Sequence, residues 1–144
     1  MPSDEYEIST DPARIDRPLV HEFLTNESYW ARGIPRDVVD RCIENSLCFG
    51  LYRGAEQVGF ARVVTDRAAI AYLGDVFVVT GHRGRGLGKR LVETVMAHPD
   101  LQGLRRFMLG TEDAHSLYER FGFRSLANPE RMMEIASPYE GPDD

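Results

Sequence analysis

Cysteine is nearly missing from this chain, with Cys42 and Cys48 the only two in 144 residues. No third or fourth ligand stands at metal spacing, so no metal site is expected. Their apolar neighbours Ile43, Leu47 and Phe49 favour reduced, buried thiols. No apolar run approaches the ~18 residues a membrane-spanning helix needs. The opening Met1-Pro2-Ser3-Asp4-Glu5 is acidic and lacks an apolar h-region, so no secretory signal is expected and a cytoplasmic location is. Positive charge is in deficit: 17 Lys and Arg face 23 Asp and Glu, a formal net charge of −6. That balance argues against general nucleic-acid binding. Repeats and interior linkers are lacking too. What is there, 42% hydrophobic over 144 residues, suits one globular domain with a single core, residues 1–144.

Hydrophobic periodicity divides the chain into short elements. Residues 6–10 read as a first strand, 18–25 and 36–45 as helices, the second opened by Pro35. Residues 47–52, 57–65 and 69–79 read as consecutive strands, the first two joined by a hairpin at Arg53-Gly54-Ala55-Glu56. A third helix is expected over 87–97, a strand over 106–111, a helix over 114–121 and a last short strand over 131–135. Residues 137–144 read as a disordered acidic tail.

The densest chemistry follows the third of those strands. Val76-Phe77-Val78-Val79 runs into Thr80-Gly81-His82-Arg83-Gly84-Arg85-Gly86-Leu87-Gly88-Lys89, and an apolar-periodic helix begins at once. Glycines let backbone N–H groups crowd together, and a helix N-terminus adds unpaired donors and partial positive charge. Strand, glycine turn and helix together cradle a phosphate-bearing ligand. The spacing excludes two phosphate loops. A Walker A loop needs Gly where Arg83 stands and Ser or Thr where Arg90 stands; the dinucleotide fingerprint needs Gly where Lys89 or Leu91 stands. The pattern that remains, Arg83-x-x-Gly86-x-Gly88, resembles the acyl-coenzyme A pyrophosphate loop of the GNAT superfamily of N-acetyltransferases. A plain connection is the bland alternative for a lone Gly/Arg turn, so a second motif has to decide.

Thr111-Glu112-Asp113-Ala114-His115-Ser116-Leu117-Tyr118-Glu119-Arg120-Phe121-Gly122-Phe123 supplies it. Asp113 is a candidate helix cap, Leu117 and Phe121 stand at i, i+4, and Gly122 is a natural stop. The stretch is similar to the family's later signature, a helix that carries a Tyr and closes on Gly-Phe. With both motifs in the family's order, the resemblance spans nearly the whole chain. It implies a small single-domain α+β member: a twisted, mostly antiparallel sheet of about six to seven strands flanked by four helices in three layers.

The resemblance also implies an activity, transfer of an acetyl group from acetyl-coenzyme A to a primary amine by direct attack, with no metal. Backbone groups matching Val76 and Val78 would pair with the pantetheine arm. Amides from Arg83 through Gly84, Arg85, Gly86, Leu87, Gly88 and Lys89 would wrap the pyrophosphate. Tyr118 matches the general acid for the departing sulfur, and the bland reading of it is a core-edge aromatic. The base is open between Asp75, whose alternative is a hydrogen-bonded structural carboxylate, and His115, whose alternative is a solvated side chain. His82 is expected on the loop rim. Where many relatives carry Asn against the pantetheine this chain has Thr111, and Asp113 is a substitute for that contact. The first inter-helix connection would line the acceptor pocket, with Tyr29 and Trp30 as an aromatic wall for a cationic amine or, alternatively, as loop anchors.

The partners expected are a small-molecule amine or peptide amine, without nucleic acid or membrane, and a second copy of the chain is admitted. Two other classes stay open. A non-catalytic acyl-coenzyme A-binding module would bind without turnover, and a small RNA-binding domain built on the Arg/Gly turn would show strongly salt-dependent affinity.

Overall fold

Runs of Val, Phe, Leu and Ala in the middle of the chain leave no solvent face for a sheet: β2 (Leu47–Arg53) is buried at every residue but its last. Such strands need cover on both sides, and the computed structural model, which describes residues 5–139, provides it. The chain runs β1 (Tyr6–Ser9), α1 (Arg17–Asn26), α2 (Arg36–Glu44), β2, β3 (Glu56–Thr65), β4 (Ile70–Val78), α3 (Leu87–Ala97), β5 (Arg106–Leu109) and α4 (His115–Glu119). The strands form one sheet in the order β1-β2-β3-β4-β5. The first three pairings are antiparallel and β4 pairs β5 in parallel.

The two faces carry separate cores. On one, Phe49, Leu51, Val58 and Val63 pack with Leu91, Val92 and Val95 of α3 and with Tyr118. On the other, Cys48, Phe60 and Phe77 pack with Val20, Phe23 and Leu24 of α1 and Val39 and Ile43 of α2. Phe23 stacks on Phe77 with ring centroids 3.9 Å apart. The result is the expected three-layer α+β architecture, and local chemistry fixes where elements begin. Asp16 accepts the Leu19 N–H at 3.1 Å to cap α1, and Pro35 opens α2.

The sheet has five strands rather than six or seven, because residues 131–135 form no strand. Apart from a single 3-10 turn at Pro129–Arg131, the chain from Phe123 onward follows an irregular course. The reason is pairing: among the described residues no strand accepts the segment as a neighbour. Of the tail expected over 137–144, residues 140–144 lie outside the described residues, as do 1–4.

Candidate active site

β4 and β5 stay together for only part of their length. Their parallel register runs from Ile70↔Arg106 to Leu73↔Leu109 and stops. β4 continues to Val78, while the chain after β5 turns off at Gly110 towards α4. At the same level the β3–β4 register slips, Phe60 pairing Phe77 but Arg62 pairing Gly74. An extra residue is thus accommodated at Asp75–Val76, and Asp75 takes φ 55, a left-handed value uncommon for a residue with a side chain. The bulge re-aims Asp75 and Val76 into the gap where the strands part.

Beyond β4 lies the glycine turn. Thr80–His82 forms one 3-10 turn, Gly84 (φ 80) and Gly86 (φ 74) are left-handed, and α3 starts at Leu87 with no side-chain cap. An ideal Cβ built on Gly81, Gly84, Gly86 or Gly88 meets no atom within 4 Å, so the backbone here is bare on its outer side. The arginine side chains do not fill that space. Arg83 Nε donates to the Val78 carbonyl at 2.9 Å, and Arg85 Nη1 donates to the Tyr6 hydroxyl at 2.9 Å. That hydroxyl also hydrogen-bonds His82 Nδ1 at 2.9 Å, which places His82 on the rim. An uncapped helix N-terminus, bare amides and flanking guanidiniums suit a polyanion such as a pyrophosphate. Val78 is already committed through its carbonyl to Arg83, whereas Val76 lines the adjoining cavity.

That cavity, about 550 Å³, occupies the gap between the strands and is lined by Tyr29, Trp30, Cys42, Arg62, Tyr72, Asp75, Glu112, Tyr118 and Tyr139 among others. Asp75 is braced at both oxygens, by Arg62 Nε at 2.7 Å and by the Trp30 indole N–H at 2.8 Å. The ion pair is largely buried, its side chains 20% and 10% exposed, and Arg62 Nη1 goes on to Ser46 Oγ at 3.1 Å. Burial opposes the charge on Arg62, but Asp75 beside it outweighs this and holds the guanidinium above its usual value. The environment of Asp75 is that of the hydrogen-bonded carboxylate rather than of an unpaired base. Its bonds fix Trp30, against which Tyr29 stands edge-on at 5.0 Å, and the Tyr29 hydroxyl accepts the Glu112 N–H at 2.9 Å. Tyr29 and Trp30 are thus placed in two ways at once. Their polar atoms anchor the loop, and their half-exposed rings wall the cavity.

Tyr118 faces the same cavity from α4 and packs edge-on against Phe123. Burial pushes its phenol up, with Tyr29 and Asp113 adding to the rise. α4 is shorter than the expected 114–121, and its start is held differently: Thr111 Oγ1, not Asp113, accepts the Ala114 N–H at 3.0 Å. Asp113 is exposed, and the Thr111 hydroxyl accepts in the turn while keeping its own O–H to donate. His115 is exposed and lines a neighbouring groove of about 270 Å³ that it shares with Tyr118, not the cavity holding Asp75.

Arg62, Tyr72, Glu112 and Tyr139 complete the cavity and were not singled out from the sequence. Arg62 left a trace there, a lone cation inside the apolar run Phe60-Ala61-Arg62-Val63-Val64 with a lone Asp on the next strand. Cys42, expected buried, is half-buried on the cavity wall, whereas Cys48 is buried and its thiol is pushed up to about 12. Among the described residues no cluster of His, Cys, Asp and Glu could hold a metal ion.

Known proteins share this fold. A crystal structure from Xanthomonas campestris pv. campestris, provisionally assigned as a GNAT-family acetyltransferase, is 52% identical with a TM-score of 0.91, covering 92% of this chain and 94% of that one. A Gibberella zeae protein provisionally named an acetyltransferase is 30% identical over 162 positions, 96% of this chain and 90% of its own. Glucosamine-6-phosphate N-acetyltransferase from Arabidopsis thaliana, at 15% identity and TM-score 0.63, shares the fold over 94% of this chain and 99% of its own. Residues 17–123 match the model of the Acetyltransferase (GNAT) family. The chain belongs to the GNAT acetyltransferase family.

Proposed function

We propose that this acetyltransferase moves the acetyl group of acetyl-coenzyme A to a primary amine by direct attack, with Tyr118 as general acid. One observation carries the reading: a buried phenol and the aromatic wall face one cavity where β4 and β5 part, and the bare amides of the glycine turn follow directly after β4. A pyrophosphate on the turn and a thioester beside Val76 would bring the reacting carbon between Tyr118 and Trp30.

The residues divide the work. Backbone N–H groups of 83–88 hold the diphosphate, and the main chain of the β4 bulge orients the pantetheine arm. Trp30, Tyr29 and Tyr72 hold the amine, whose ammonium form is attracted to aromatic faces. Reaction requires the neutral amine, so a proton must leave. Glu112 lines the cavity without an ion pair to another described residue, unlike Asp75, and is the better placed acceptor, directly or through water. The amine nitrogen then bonds to the acetyl carbon, the carbon–sulfur bond breaks, and Tyr118 gives its proton to the thiolate. An ordinary phenol near ~10 gives its proton to a thiolate near ~8.5 slightly uphill, and the burial of Tyr118 adds to that slope. The raised phenol keeps Tyr118 protonated throughout the neutral range, as a donor must be.

Coenzyme A release from acetyl-coenzyme A across a panel of amines tests the activity, and Tyr118→Phe tests the role. The variant keeps the ring and loses the hydroxyl; kcat should fall about 10²–10⁴-fold with little change in the acetyl-coenzyme A KM. A kcat within about twofold of the parent would remove the general-acid role. Tight acetyl-coenzyme A binding with no turnover on any amine would favour a sensing module instead.

A further inference from the structure

Aromatic side chains sort by place in this molecule. Phe23, Phe49, Phe60 and Phe77 are buried in the two cores. Tyr29, Trp30, Tyr72 and Tyr139 are the aromatics left exposed among the described residues, between 39% and 52%. All four line the acceptor cavity. They reach it from separate places: the α1–α2 connection, β4 and the irregular end of the chain. Apolar surface left in water forgoes the stabilisation that burial gives. Rings gathered around one cavity therefore mark a place where a ligand covers them. Tyr29 and Trp30 meet at 85°, a corner into which a flat ring fits.

Charge narrows the ligand further. Arg62 is the only cation lining the cavity among the described residues, and its Nε and Nη1 are given to Asp75 and Ser46. A phosphate or carboxylate on the acceptor would meet no free counter-charge and would face the carboxylates of Asp75 and Glu112. A second ammonium fares little better. Asp75 is already paired, and Glu112 is assigned above to the proton of the reacting amine. The cavity's volume of about 550 Å³ must also take the acetyl thioester, which keeps the acceptor small.

We infer that the acceptor is a primary amine on a short chain attached to a flat aromatic body, with no acid group and no second cation. The inference rests on the acetyl-transfer reading for which end of the molecule reacts, and goes beyond it in naming what the cavity selects. The amine faces Glu112 and Tyr118, and the aromatic body lies among Trp30, Tyr29, Tyr72 and Tyr139. The end of the chain thereby has a task. Residues 124–138 form no strand, yet they carry the Tyr139 ring to the cavity, where it acts on specificity.

Trp30 is the chain's only tryptophan, so its fluorescence reports on this cavity and needs no turnover. The whole protein, with coenzyme A present, is titrated with phenethylamine and three comparison amines. Phenylalanine adds only a carboxylate, putrescine exchanges the ring for a second ammonium, and hexylamine keeps only an alkyl body. Phenethylamine should give a saturable change. The dissociation constant should be higher by about 100-fold or more for phenylalanine, about tenfold for putrescine and about threefold for hexylamine. Equal or tighter binding of any of these three, or no saturable change with phenethylamine, overturns the inference. Tyr139→Ala alters an exposed side chain outside both cores, so circular dichroism should be unchanged. Its phenethylamine dissociation constant should rise about tenfold with coenzyme A affinity kept; an unchanged constant overturns the place given to Tyr139. Coenzyme A release from acetyl-coenzyme A is then followed with the same four amines. Release in the order of binding supports both readings. Binding in that order without release supports the selectivity and overturns acetyl transfer, so the two fail separately.

Discussion

The two walls of the cleft are made of different material. On the β4–α3 side, the glycine turn presents main chain: left-handed Gly84 and Gly86, the uncapped start of α3, and arginines whose side chains are tied back to Val78 and Tyr6. On the other side, the acceptor wall is assembled from side chains. Trp30 comes from the α1–α2 connection, Arg62 from β3, Asp75 from the β4 bulge and Glu112 from the loop after β5. A wall of backbone reads a ligand common to a whole family, because any side chains will serve if the glycines are kept. A wall of side chains can be altered one residue at a time, which suits the half of the site that chooses the acceptor. The contrast predicts that the two walls fail differently.

Removing the cation beneath the acceptor wall should have the largest effect. Arg62→Met leaves the Asp75 carboxylate largely buried without its partner, a loss of about 3–5 kcal/mol that thermal unfolding would show as a fall in Tm of about 10 °C or more. Adding Asp75→Asn should return much of that stability, because it removes the unpaired charge and keeps a residue suited to the left-handed backbone at φ 55. A single variant as stable as the parent would mean that the pair does not hold the wall.

Next comes the backbone side. Gly86→Asp puts a side chain at φ 74 and a negative charge where a pyrophosphate is proposed to lie. Losing one or two charge-assisted hydrogen bonds should weaken acetyl-coenzyme A binding by about 100-fold or more, measured by titration calorimetry on a protein whose circular dichroism shows it folded. Retained affinity would break the comparison at its backbone half.

A smaller change should separate the halves. Trp30→Phe keeps an aromatic ring but deletes the N–H given to Asp75 together with the indole's second ring. Acceptor kcat/KM should drop about tenfold, the scale of one hydrogen bond to a charged group, with acetyl-coenzyme A affinity unchanged. If both constants move together, the walls are not independent.

The same contrast explains what could be read in advance. The glycine turn and the Tyr118 helix were legible because their chemistry is local, each lying in a short stretch where spacing speaks directly. Most elements followed from periodicity for the same reason, while the layers followed from the family resemblance. Asp75 was harder. From the sequence it was a candidate base or a structural carboxylate, and its partners Arg62 and Trp30 could not be read there, because only strand register and a loop bring them to it. The cap expected of Asp113 is not made: Ala114 precedes α4 without a side-chain bond, Thr111 accepts the Ala114 N–H in the turn before it, and the helix runs only His115–Glu119. The strand expected over 131–135 has the right residues but no strand partner among the described residues. A strand is a property of two segments, and the sequence of one cannot show where the other lies.

The most direct test of the account is backbone hydrogen exchange with and without acetyl-coenzyme A. Because recognition is assigned to main-chain N–H groups, protection should rise across residues 76–89, most at 83–88, and little over 28–34 in the acceptor loop. Binding that leaves 83–88 unprotected, or protection concentrated on the acceptor loop, would contradict the account.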